Sequence, residues 1–150
     1  MKTRKRRNFC GKNECSNPLI KTLHLRRNMP QFDAENLTWA DQILGPHREN
    51  VIKLAAIYPA QREIDQTRVN VILKSVPTRR LKQWALKQPP FVIFSHKNIK
   101  TLADGHHRWA ALKTRSRNLD HPVIEYDINP NVGLKRLCTK GFTRRFAQKI

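Results

Sequence analysis

Acidic residues are scarce in this chain: 11 Asp and Glu stand against 30 Lys and Arg in 150 residues, a formal net charge of +19. That balance excludes a charge-compensated surface, so self-repulsion is either offset by a polyanion or tolerated at a cost in stability. Nucleic acid, DNA first, is the partner such a charge predicts, ahead of an acidic membrane surface or an acidic protein. Long apolar runs are missing as well. None approaches the roughly 20 residues of a membrane span, and nothing resembles a secretory signal, so no membrane partner is expected. Cysteine is sparse and odd in number, three in all. This excludes a disulfide-dense scaffold and predicts free thiols in a reducing cytoplasm. A zinc site on Cys10, Cys15, His24 and Cys138 is the competing reading, weakened because no second tight ligand pair accompanies Cys10 and Cys15. Repeats and long low-complexity segments are absent too.

What is present divides the chain into three parts. Residues 1–50 form a basic arm (Arg4, Lys5, Arg6 and Arg7 within it) and a helical extension. In the extension, Asp33 is positioned to cap a helix bearing Leu37, Ala40, Ile43 and Leu44 that stops at Gly45-Pro46. Residues 51–128 carry most of the regular pattern. Val51 to Tyr58 reads as a buried strand. Asp65 then caps a helix with Val69, Ile72, Leu73 and Val76 on one face, and Thr78 a second helix with Leu81, Trp84 and Ala85. Phe91 to Phe94 and Ile99 to Ala103 read as a hairpin joined through residues 95–98. A helix from about His106 to Arg117 and a strand from Pro122 to Ile128 follow. Residues 129–150 are a basic tail without an acid, with Leu134, Leu137, Phe142 and Phe146 as anchors of short helices. Helices and strands that do not alternate strictly predict an α+β fold, a small mixed sheet with flanking helices.

The stretch Asp104-Gly105-His106-His107-Arg108 concentrates an acid, a glycine, two imidazoles and a guanidinium where an apolar run gives way to a helical pattern. Free backbone N–H groups and the positive end of a helix dipole make such a junction an anion site. Arg108 can fork onto a phosphate, the histidines can move protons, and Asp104 can hold a metal or accept a proton. Adjacent histidines on a helix point about 100° apart, which argues against one zinc ion held by both. The plain reading is a turn in which Asp104 caps the helix and Arg108 makes a surface ion pair.

Two motifs give residues 51–128 a resemblance to the ParB/sulfiredoxin superfamily, closest to its ParB-like nuclease-type members. Tyr58-Pro59-Ala60-Gln61-Arg62-Glu63-Ile64-Asp65 is similar to the Pro-x-Gln segment before the first helix of ParB-like domains. Leu102 to Ala111, with Asp104 to Arg108 inside it, is similar to the Gly-Glu-Arg-Arg-x-x-Ala box of ParB and the Gly-Gly-Cys-His-Arg box of sulfiredoxin. Arg27-Asn28-Met29-Pro30-Gln31 also resembles a segment found upstream of this domain in some phage-encoded proteins, which would place the chain in a host cytoplasm or a virion. The resemblance implies an α+β fold whose box starts a helix beneath a bound phosphate. Gly105 would let the backbone approach, and His107 and Arg108 would grip the phosphate. His106 stands where sulfiredoxin has its nucleophilic cysteine, which removes reductase chemistry. The Asp-Gly-His-His-Arg form looks like the box of the superfamily's free serine kinases, but Gln61 stands where those enzymes have a glutamate base, and an amide cannot take a proton from a hydroxyl.

The expectation is therefore a DNA-associated, ParB-like protein that binds a phosphate or nucleotide and acts as a nuclease or nucleotide hydrolase. His106 or His107 would be the general acid or base. Asp104 and Glu63 would position Mg²⁺ or water, and Gln61 and Arg62 would face the phosphate. A non-catalytic, nucleotide-switched DNA-binding module and a small-molecule kinase of the free-serine type are the alternatives. Lys135, Arg136, Lys140, Arg144, Arg145 and Lys149, together with the basic arm, would contact the nucleic-acid backbone.

Overall fold

The computed structural model describes residues 8–10, 15–33 and 35–142. Five strands form one mixed sheet: β1 (Arg48–Lys53), β2 (Ile57–Tyr58), β3 (Phe91–His96), β4 (Ile99–Asp104) and β5 (Asp120–Asp127), in the spatial order β1-β5-β3-β4-β2. β3 lies at the centre, parallel to β5 and antiparallel to β4. β1 runs antiparallel to β5, and β2 parallel to β4. The helices are α1 (Leu37–Leu44), α2 (Gln66–Ser75), α3 (Leu81–Leu86), α4 (His106–Arg115) and α5 (Pro130–Thr139). The α+β expectation is met.

Strand parity sorts the core. Phe91 and Ile93 of β3 pack on one face of the sheet with Leu102, Val69 of α2 and Trp109 and Leu112 of α4. Val92 and Phe94 join the other face, with Ala103, Tyr126, Ala40 of α1 and Leu134 and Leu137 of α5. Successive side chains of a strand point to opposite faces, so the continuously apolar β3 supplies both cores. The result is three layers, with α2, α3 and α4 on one side and α1 and α5 on the other.

Local chemistry explains most element ends. Lys97 and Asn98 both take positive φ (50° and 64°), the backbone of a two-residue hairpin turn. The turn is tighter than the sequence suggests, because Ser95 and His96 extend β3. The Asp65 carboxylate accepts from Thr67 N at 3.0 Å and caps α2 as expected. Asp33 acts just upstream of α1, where its Oδ1 accepts from Glu35 N and Asn36 N while Asn36 holds the cap position.

Three expectations need correction. Val51 to Tyr58 is not one buried strand: a 3-10 turn, Leu54–Ala56, divides β1 from β2. There Leu54 N and Ala55 N donate to Leu119 O and Arg117 O instead of a sheet partner, and Val51 on edge strand β1 is 54% exposed. Thr78 does not cap α3, which begins at Leu81 behind Arg80 with no side-chain cap. Cys10 and Cys15 are not free thiols. Their Cα atoms lie 5.3 Å apart and they form a disulfide, which leaves Cys138 as the free cysteine. Pairing also dissolves the proposed Cys10–Cys15–His24–Cys138 zinc set, since bonded sulfurs have no thiolate to offer. It removes the thiol argument for a reducing compartment as well. No helix among the described residues is long and apolar enough to cross a membrane.

Candidate functional site

Gly105 is the hinge on which the site is built. It occupies the cap position of α4 at φ 104°, in the left-handed region, and a Cβ there would meet Phe91 Cδ1 at 2.6 Å. Only a glycine lets β4 turn directly into α4 against that ring. The first residues of α4 therefore present their amides at a fixed place, directly beneath the end of the central hairpin.

The two histidines face the first motif. His106 is buried, and its Nε2 accepts from Ala60 N at 2.9 Å and Gln61 N at 3.1 Å. His107 Nε2 accepts from Asp65 N at 3.0 Å. Both acceptor roles use the imidazole lone pair, so each ring makes these bonds as a neutral tautomer with its proton on Nδ1. The two motifs, more than forty residues apart in sequence, are thereby joined. On its outer side the same loop is held by the N-terminal segment: His24 N donates to Ala60 O and Arg62 N to His24 O, each at 2.8 Å.

Asp104 and Arg108 hold the opposite flank. Asp104 Oδ1 accepts from Gly105 N at 2.9 Å and its Oδ2 from Phe32 N at 3.0 Å, so this carboxylate anchors the segment that leads into α1. The Arg108 guanidinium lies 4.4 Å from the Phe91 ring centroid and donates to Pro89 O. Burial pulls it down to about 10 against the opposing Asp104 carboxylate, so it stays a cation at neutral pH. His121 stacks on the same phenyl ring at 4.1 Å, with Nδ1 2.7 Å from Pro122 O. Burial lowers it to about 4; the Pro122 hydrogen bond opposes that shift and the Arg108 charge adds to it.

A cleft of about 440 Å³ opens between α2 and the start of α4. Arg26, Arg68, His107 and Arg108 surround it, with Thr67 and Val71 on the α2 wall. The Nε atoms of Arg26 and Arg108 are buried without a hydrogen-bond partner among the described residues. A second cleft, of about 510 Å³, shares Gly105 and Arg108 with the first and contains Phe32, Asp33, Pro89, Val92 and Asp104. Arg108 is the wall between a cationic cleft and one that carries two carboxylates.

Not every residue singled out in the sequence comes to this place. Gly105, His106, His107 and Arg108 line the cationic cleft, and Asp104 the neighbouring one. Gln61, Arg62 and Glu63 line neither. Gln61 is buried with its Nε2 donating to Glu63 O, while Arg62 and Glu63 are exposed. Asp104 and Glu63 are thus not gathered into a Mg²⁺ site, and among the described residues no group of three or more His, Cys, Asp or Glu side chains is placed to hold a metal. Lys135, Arg136 and Lys140 are exposed on or just past α5. Arg4, Lys5, Arg6, Arg7, Arg144, Arg145, Lys149 and Phe146 lie outside the described residues. Sequence reasoning missed Arg26, Arg68, Phe91 and His121. One signal for Arg68 existed: Val71, 62% exposed, is an apolar residue off the Val69–Val76 stripe, on the α2 face that also carries Arg68.

No protein-family model matches the chain, and no curated protein does. Among solved structures, it is similar to a free serine kinase in complex with AMP, at 21% identity and a TM-score of 0.41, covering 55% of this chain and 33% of that one. Two mutants of a free serine kinase, also in complex with AMP, match at 20% and 22% identity with TM-scores of 0.42 and 0.41. This chain spans about a third of the length of those enzymes.

Proposed function

We propose that the chain is a ParB/sulfiredoxin-type phosphate-recognition protein that holds a phosphorylated ligand, a nucleotide, in the cleft between α2 and α4. The observation that carries the reading is that Arg26, Arg68 and Arg108 line one cleft together with the first turn of α4. Guanidinium groups that line a cleft offer forked N–H donors to a phosphate, and the positive end of the α4 dipole favours an anion beside them. Cleavage of DNA or of a nucleotide, the chemistry suggested by the box, has less support. The acceptor nitrogens of both imidazoles already receive backbone amides, so acid–base work would first have to break the bonds that hold the two motifs together.

A second reading is phosphoryl transfer to a small hydroxyl compound of the free-serine kind. The neighbouring cleft favours it, because Asp104 and Asp33 lie across Arg108 from the cationic cleft, and a transfer site needs a carboxylate near the acceptor hydroxyl.

Thermal unfolding tests the binding. At constant ionic strength, phosphate, AMP and ADP should each be titrated against the wild-type chain. A ligand at 100 times its Kd stabilises the native state by about 2.7 kcal/mol. Arg68→Gln and Arg108→Gln are expected to abolish the shift and Arg79→Gln, an exposed cation outside the cleft, to retain it. Equal shifts in all three variants would mean general anion binding and would sink the site. Transfer of the β-phosphoryl group of ADP to the hydroxyl of free serine, with AMP as the leaving group, lost in Asp104→Asn while AMP still binds, would select the second reading.

A further inference from the structure

On the opposite face of the sheet, α1 and α5 enclose a groove of about 900 Å³. Its walls carry Trp39 and Ile43 from α1, Val132, Lys135 and Arg136 from α5, and Lys140 just beyond it. No acid lines it. Trp39 is 44% exposed and Val132 42%, both unusual for side chains of that size. Trp39 is also fixed in place, because its ring packs at 4.4 Å on Phe142, which is buried. A held indole beside three cations on one surface meets the two requirements for gripping an unpaired strand: a platform for a base face, and positive charge along the backbone's path.

We infer that the α1–α5 groove is a binding site for single-stranded nucleic acid, with a base stacked on Trp39 and the flanking phosphates held by Lys135, Arg136 and Lys140. Charge complementarity selects this occupant. An acidic peptide would satisfy the cations but leave the indole without a flat partner, and a duplex keeps its bases stacked on one another, away from Trp39. The site is separate from the α2–α4 cleft and does not depend on what binds there.

Fluorescence anisotropy on the full chain provides the test, using labelled strands of roughly 12 nucleotides, one oligo-dT and one oligo-rU. A matching duplex and heparin, a polyanion without bases, serve as controls. The wild-type chain is expected to prefer the single strands to the duplex and to lose tryptophan emission on binding them. Trp39→Ala should weaken single-strand binding by roughly tenfold to a hundredfold and leave heparin binding unchanged. Should loss of the Phe142 contact unfold that variant, Lys135→Gln/Arg136→Gln decides the matter, because both positions are exposed. Removing two phosphate contacts should flatten the slope of log K against log salt by about 1.4. A stronger signal with either sugar supports the site and shows which strand it takes. The proposal is overturned if Trp39→Ala binds the strands like wild type, if strand and heparin affinities fall together, if the duplex binds as tightly, or if the double variant keeps the wild-type salt slope.

Discussion

His121 shows what burial does to one titratable group. It is fully buried against Phe91, and its Nε2 has no hydrogen-bond partner among the described residues. Burial lowers it to about 4, from about 6.5 in an unfolded chain. In that interval the unfolded state binds the proton and the native state does not, so stability rises with pH. The contribution is complete above pH 6.5 and is lost progressively as pH falls from about 6.5 towards 4, amounting to about 3 kcal/mol. Urea denaturation at pH 7 and pH 4.5 should show this loss in the wild-type chain, and His121→Gln should remove that share of the pH dependence whatever it does to stability at pH 7. An unchanged pH dependence in the variant would place the acid sensitivity elsewhere.

At the scale of elements, the sheet is tied by one carboxylate. Glu125 on β5 is buried and accepts from Arg48 Nε of β1 at 2.6 Å, from Ser95 Oγ of β3 and from Lys100 Nζ of β4 at 2.5 Å. Burial opposes its charge, but the Lys100 and Ser95 hydrogen bonds and the Lys100 charge outweigh it and hold the carboxyl at about 2. Removing the carboxylate takes a charged partner from Lys100 and Ser95, which keep each other, while the half-exposed Arg48 keeps Asp127, so the cost is about 1.5–3 kcal/mol. Glu125→Ala should lose about that much in chemical denaturation, and Asp120→Ala, whose contact with Lys53 at 3.8 Å is exposed, less than about 1 kcal/mol. Glu125 also marks the limit of sequence reading. Alternation and capping were visible in advance, because Val69 to Val76, the Asp65 cap and the hairpin depend on neighbours within one turn or one strand. The strand order was not, and so neither was a network assembled from residues 48, 95, 100 and 125. For the same reason the box at Asp104 to Arg108 could be read as a strand-to-helix junction, but not the tethering of its histidines to the first motif, nor the place of Arg26 and Arg68 on the same cleft.

For the whole molecule, the net charge of +19 is itself a force on the fold. Raising ionic strength from about 0.01 M to about 0.1 M shortens the Debye length from ~30 to ~10 Å, which weakens the mutual repulsion of the native state. The melting temperature of the unliganded chain should therefore climb with sodium chloride over that range, and a flat or falling curve would show that the cations are locally compensated. A different consequence follows from the span 8–33. Asn8 donates to Arg62 O, Asn17 to Pro59 O and Thr101 Oγ1, and Phe32 N to Asp104 Oδ2, while Leu19 O and Asn28 O accept from Asn131 and Cys138. Each of these partners lies downstream, up to 112 residues away. A chain is synthesised from its amino end, so this span leaves the ribosome before these downstream partners have been made. It is the first part of the described protein to be born and is bound to wait for α5 before it can finish folding.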